Sequence, residues 1–191
     1  ASDVYKRQPL FTVFDNPFKD FLDKIRKVLK PEGKLLIAIE NKYGLKYWCG
    51  VPEDHSGIPF DGIGNYKYSN VARTFSKQEL DSIIKSSGFD STYFYYPLPD
   101  YKMPQVIYSE EYLPRNGSMD NWIPYYVPNN KSMVTDEQHL YNDLINNHVF
   151  EFFANSFLVE CSESITEDER ITYAVASPFR NAEYDLTTVY S

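Results

Sequence analysis

Histidine, glycine and cysteine are scarce in this chain of 191 residues, which holds three His, eight Gly and two Cys. From three scattered histidines no Ser/His/Asp or Cys/His triad can be argued, and His139 and His148 have the wrong spacing for a shared metal. The glycines supply no phosphate cradle either. Gly62-Ile63-Gly64 neither follows a strand nor opens a helix, as a dinucleotide fingerprint requires. Cys49 and Cys161 lack metal-ligand spacing and are expected to be reduced thiols of a cytoplasmic protein, with one disulfide as the alternative. No apolar run approaches the roughly 18 residues that span a bilayer, and no secretory signal precedes the fold. A surplus of basic charge is also missing. The net charge of −8 argues against nucleic acid and against anionic membrane surfaces.

What the chain does have is apolar and aromatic. Hydrophobic residues make up 42%, enough for a sizeable core in one domain or slightly more, and 17 Tyr and 13 Phe stand out. Most of these aromatics read as core and strand residues, and some suit stacking on sugars. The opening ASDVYKRQ back-translates to GCG TCA GAT GTG TAT AAG AGA CAG, which resembles a transposase adapter of sequencing libraries. Residues 1–8 are therefore set aside, and the expectation is that the reading frame begins upstream.

Local signals predict an alternation of helix and strand. Asn16 caps a helix with Pro17 at its first position, and Phe18, Phe21, Leu22, Ile25, Val28 and Leu29 follow helical spacing until Pro31 stops it. Residues 35–39 are continuously apolar, as for a parallel strand covered on both faces. Ser76 and Glu79 form a capping box, Leu80, Ile83 and Ile84 a buried stripe, and Gly88 the C-terminal turn. Residues 92–96 and 105–109 read as strands joined through a hairpin loop. Residues 112–134 read as an irregular surface segment. Thr135 and Gln138 cap a third helix expected to reach Phe153, followed by a strand at 157–161. SESITEDER is an acidic linker, and residues 171–176 and 183–190 resemble strands of a further domain cut short by the chain end.

The order helix, LKPEGKLLIAI, long insertion, TFSKQELDSIIKSSGF and two strands resembles the C-terminal half of a class I S-adenosylmethionine-dependent methyltransferase. The turn Leu29-Lys30-Pro31-Glu32-Gly33-Lys34-Leu35 is similar to that family's L-x-P-G-G-x-L turn, with Glu32 in place of the first glycine. AIENKYGLKYW, PEDHSG and YYPLPDYKMPQVIYSEEYLP resemble modules of bacterial surface-polysaccharide and lipopolysaccharide biosynthesis proteins. The resemblance implies an α/β fold, a partial Rossmann-like sheet from the fourth helix to the seventh strand, whose final strand runs antiparallel. It implies a domain fragment over residues 9–110, a helical appendage over 111–161, and a linker with a truncated further domain over 162–191. The implied cofactor is S-adenosyl-L-methionine, although the glycine-rich loop and ribose-binding acid of its main site are absent. The fragment alone is therefore expected to be inactive. The implied partner is a glycan or nucleotide-sugar acceptor, with other polysaccharide-synthesis domains fused or associated. The alternative is a non-catalytic carbohydrate-binding or assembly module of the same machinery.

Candidate site residues cluster around the insertion 42–75, which the family places over the acceptor pocket. Glu40 and Asn41 follow the apolar strand and are candidates for hydrogen bonding to the acceptor, or else a strand-end carboxylate and a turn-forming Asn. Glu53, Asp54 and His55 are the candidate base or base pair for a hydroxyl acceptor. Tyr43, Tyr47, Trp48 and Tyr66 are candidates for sugar stacking, or else anchors of the insertion. Asp100-Tyr101-Lys102 belongs to the hairpin loop and is placed to approach the same cleft.

Overall fold

The computed structural model describes residues 16–67, 69, 72–120, 132–164, 170–176 and 187–190. The helices are α1 Pro17–Arg26, α2 Leu45–Trp48, α3 Lys77–Ser86, α4 Glu137–Asn146 and α5 Phe150–Phe153. The strands are β1 Leu35–Glu40, β2 Ser91–Leu98, β3 Val106–Ser109, β4 Ser156–Ser162, β5 Tyr173–Val175 and β6 Thr188–Tyr190. They form one mixed α/β unit with a six-stranded sheet in the order β1-β4-β2-β3-β5-β6, in which every pairing is antiparallel.

The helix ends follow their capping chemistry. Asn16 Oδ1 accepts the Lys19 N–H at 3.1 Å, satisfying one of the unpaired donors of the first turn. The Ser76–Glu79 box is closed in both directions. Gly88 ends α3 in the left-handed region at φ +82°, and a Cβ there would lie 3.1 Å from the Arg26 guanidinium. That glycine lets α1 close on the end of α3.

Several expectations are corrected. Helix α1 stops at Arg26, not Lys30, because the chain tightens into turns in which Val28 N–H donates to Ile25 O, leaving Val28 82% exposed. The third helix breaks into α4 and α5 at His148, which takes φ +58° after two asparagines, a run of weak helix formers. Its cap is Asp136, whose side chain accepts the Gln138 N–H.

The largest correction concerns β1, expected in the interior of a parallel sheet and covered on both faces. It lies first in the strand order, antiparallel to β4. Leu35, Ile37 and Ile39 are half-buried, while Leu36 and Ala38 are exposed. The reason lies in the register: Ile37 opposes Val159 and Val159 opposes Phe94, on the face that carries the core. Leu36 and Ala38 fall on the other face with Glu160 and Leu158. The core gathers Leu80, Ile84, Phe89, Tyr96, Phe150 and Phe157 on the first face. Fully burying one such side chain contributes about 1.5–3 kcal/mol.

One sheet runs across the expected division at residue 110. Strand β4, from the expected appendage, pairs between β1 and β2, and β5 and β6 extend the same sheet beyond β3. The hairpin expected of residues 92–109 is present as β2–β3. Residues 1–8, most of the linker SESITEDER and residues 121–131 and 177–186 lie outside the described residues. Both cysteines are free and fully buried, and burial pushes each thiol up to about 12.

Among the described residues no strand pairs with the outer side of β1, which carries apolar side chains and no proline, a hazard for association. Leu36→Lys is expected to lower self-association in light scattering at high concentration. Because Leu36 is 61% exposed, the variant should keep unfolding free energy within about 0.5 kcal/mol of the parent.

Candidate functional site

Strands β1 and β2 are both antiparallel to β4, so they run parallel to each other and their carboxyl ends lie on the same side of the sheet. Glu40 closes β1, and the turn after β2 carries Asp100, Tyr101 and Lys102. At that end Lys102 Nζ contacts Glu40 Oε1, Tyr101 O–H donates to the same oxygen at 3.4 Å, and Asp100 Oδ2 lies 3.9 Å from Lys102 Nζ. Lys46 of α2 continues the chain of charges. Its Nζ lies 3.6 Å from Asp100 Oδ2 and 2.9 Å from Asp54 Oδ2, and the Tyr47 phenol donates to that same Asp54 oxygen.

Two asparagines hold this end of the sheet together. Asn41 donates both Nδ2 hydrogens, to Phe152 O at 2.8 Å and Ala154 O at 2.7 Å, while its Oδ1 accepts the Tyr43 N–H. Asn155, immediately before β4, accepts the Lys46 N–H through Oδ1 and donates to Glu137 Oε2 at 2.9 Å. Gly44 must pass Asn155 closely, since a Cβ there would lie 3.1 Å from Asn155 Cα. Through these bonds α2 is fixed against the amino end of β4.

The charged groups shift each other in ways the geometry explains. Burial pushes the Asp54 carboxyl up, but the Lys46 ammonium outweighs it by charge and hydrogen bond, aided by Tyr47 and Lys102. The net result lies below the usual carboxylate range. Burial and the neighbouring Asp54 charge hold the Tyr47 phenol well above its ordinary value. For Lys102, burial opposes the charged form, yet Glu40 and Asp100 prevail and raise it. Asp54, with a side chain 33% exposed, and Lys102, at 42%, are the parts of this cluster that solvent reaches. Glu40 and Asp100 are sealed beneath them.

The candidate residues thus divide. Glu40, Tyr47 and Asp54 come together, joined by Lys102 and Tyr101 from the loop after β2. The contiguous base group Glu53-Asp54-His55 does not converge. Glu53 turns inward, where its Oε2 accepts the His55 and Ser56 backbone N–H groups, each at 2.7 Å, and its Oε1 accepts the Tyr66 phenol. Glu53 closes a turn and is only 2% exposed, and the His55 backbone N–H is one of the donors it accepts. Tyr66 is buried, bonded to Thr74 as well as Glu53, and Tyr47 is buried, so neither ring is open for stacking. Asn41 spends its amide on the backbone and is structural. Tyr43 and Trp48 lie toward the surface against Phe152 and Phe153. Gly62 and Gly64 fall in successive turns, between neither strand nor helix.

Lys46 and Asn155 were missed by sequence reasoning. A lysine inside the otherwise apolar and aromatic LKYW helix was the available signal for the first. Nothing local marks Asn155, whose role depends on β4 reaching β1. No membrane-spanning helix and no metal-binding group of His, Cys, Asp or Glu is found among the described residues. Comparison with protein-family models, curated proteins and solved structures finds no match for this chain.

Because the folded Asp54 titrates below its unfolded value, its bonds stabilise the fold above about pH 4 and are lost as pH falls through the lowered value. Asp54→Asn should cost about 1–3 kcal/mol at pH 7 by weakening the hold on buried Lys46. The gap from the parent should close progressively below about pH 4 in urea titrations.

Proposed function

We propose that this chain is the acceptor-handling part of an S-adenosylmethionine-dependent methyltransferase that modifies a hydroxyl of a sugar or glycan in surface-polysaccharide synthesis. One observation carries the reading: two parallel strands, β1 and β2, flank the antiparallel β4, and an ionised cluster sits at their shared carboxyl ends. The family resemblance implies one antiparallel strand among parallel ones; β4 lies antiparallel between β1 and β2, while the β2–β3, β3–β5 and β5–β6 pairings, also antiparallel, depart from that pattern. Ligands of open α/β sheets bind outside strand carboxyl ends, and the Glu40–Lys102–Asp100–Lys46–Asp54 series occupies that position.

S-adenosylmethionine would supply an electrophilic methyl group. The described residues do not fit its main binding loop, since Gly62 and Gly64 lie in turns away from any strand end. The chain's own contribution is on the acceptor side. Asp54 is the solvent-reached carboxylate of the cluster, oriented by Lys46 and Tyr47, and suits accepting a hydrogen bond from a hydroxyl. Lys102, held by Glu40, presents a second donor beside it.

The poor fit to the cofactor favours a second reading, a non-catalytic saccharide-binding or assembly module, and one experiment separates the two. The full open reading frame containing this chain is expressed and incubated with methyl-labelled S-adenosylmethionine and surface-polysaccharide acceptors. Label should enter the glycan, and Asp54→Asn should slow entry roughly 100-fold or more. Absence of label with every glycan, alongside retained glycan binding, would replace transferase with binding module.

A further inference from the structure

A second feature lies apart from the charged cluster. Between α3 and α5, across β2, an open cleft of about 1090 Å³ is lined by Tyr43, Lys77, Glu79, Glu110, Glu151 and Phe152. Its volume is at the upper end of that of small-molecule sites, and its open form suits a chain segment better than an enclosed ligand.

The aromatic wall is a stack of rings. Tyr43 and Phe152 stack with centroids 5.0 Å apart and planes 14° from parallel, and Lys42 Nζ lies 5.0 Å from the Tyr43 centroid. Phe153 braces Phe152 edge-on at 4.9 Å. One face of Phe152 is thereby committed, yet the side chain remains 49% exposed. A flat, fixed, half-exposed ring is a platform for the C–H face of a pyranose.

Beside it stands a carboxylate with capacity to spare. Glu151 Oε1 accepts the Tyr96 phenol and Lys77 Nζ, while no donor among the described residues reaches Oε2. Burial pushes Glu151 up, but the Tyr96 and Lys77 bonds prevail and keep it ionised. The cleft lining carries four carboxylates, Glu79, Asp81, Glu110 and Glu151, against the ammonium groups of Lys77 and Lys85 and that of Lys42, which pairs with Glu79 at 2.7 Å, so one carboxylate is in excess. That balance repels phosphorylated and uronic sugars and favours neutral ones, most of all those bearing a free amino group.

We propose that this cleft is an oligosaccharide subsite that takes a non-acidic glycan, stacking one ring on Phe152 and accepting hydroxyl or ammonium hydrogens at Glu151. It shares the saccharide half of the function proposed above and is independent of methyl transfer.

The test is direct binding to the 191-residue chain, with no cofactor and no turnover. The probes for calorimetry and saturation-transfer NMR are a glucosamine trisaccharide, a neutral glucose trisaccharide, a galacturonate trisaccharide and a lysine-containing tripeptide. The glucosamine probe should bind tightest and weaken with salt, the neutral one should bind several-fold more weakly, and the acidic one should fail. Phe152→Ala should weaken the first two at least tenfold while the variant stays folded, its thermal midpoint lowered by only a few degrees because the ring is half-exposed. Glu151→Gln should erase the preference for glucosamine over glucose. No sugar binding at millimolar concentration, equal binding of the galacturonate, unchanged binding by Phe152→Ala, or tighter binding of the peptide than of any sugar would each overturn the proposal. Sugar binding without labelled methyl transfer by the full protein would leave the subsite standing and remove only the transferase reading.

Discussion

Strand β4 is reached more than fifty residues after β2, yet it is the only neighbour of β1 among the described residues and the sole link between β1 and β2. Its register aligns three strands at once, with Ile37 beside Val159 and Val159 beside Phe94. Without that pairing β1 would have no partner, and the carboxyl ends of β1 and β2 would have no reason to meet. A contact of such long sequence separation forms late and slowly in general.

The same strand explains why so many charged groups survive out of water. A buried charge is costly unless paired and hydrogen-bonded. Asn155 enters β4 already bonded to Lys46 N–H and to Glu137, and Ser156 accepts the Tyr101 N–H beside Glu40. Each lysine of the cluster then meets two carboxylates: Lys46 between Asp54 and Asp100, Lys102 between Glu40 and Asp100.

Local chemistry was readable from the chain because its causes lie within a few residues. The Asn16 cap, the Ser76–Glu79 box, the Gly88 turn and the β2–β3 hairpin depend on neighbours in sequence, and all are present. What could not be read depends on distant partners. An apolar run such as LLIAI fits a strand covered on both faces, and only its pairing with β4 reveals the exposed row of Leu36 and Ala38. Glu53, Asp54 and His55 are adjacent in sequence, which suggested common action. In a turn adjacent side chains diverge, and Glu53 and Asp54 face opposite partners. Asp100-Tyr101-Lys102 reached the Glu40 end because the hairpin loop begins where β2 stops, a relation that sequence order already contains.

The two cysteines have a practical corollary. Cys49 and Cys161 are sealed in the core with thiols held far from the reactive thiolate form. They are the only two in the chain, so maleimide and nitroxide reagents should pass them by while the fold is intact. A single cysteine introduced on an exposed position would thus carry a fluorophore or spin label alone, with no need to strip the native sulfurs first. Distances across the aromatic wall could then be followed by paramagnetic relaxation as a sugar arrives.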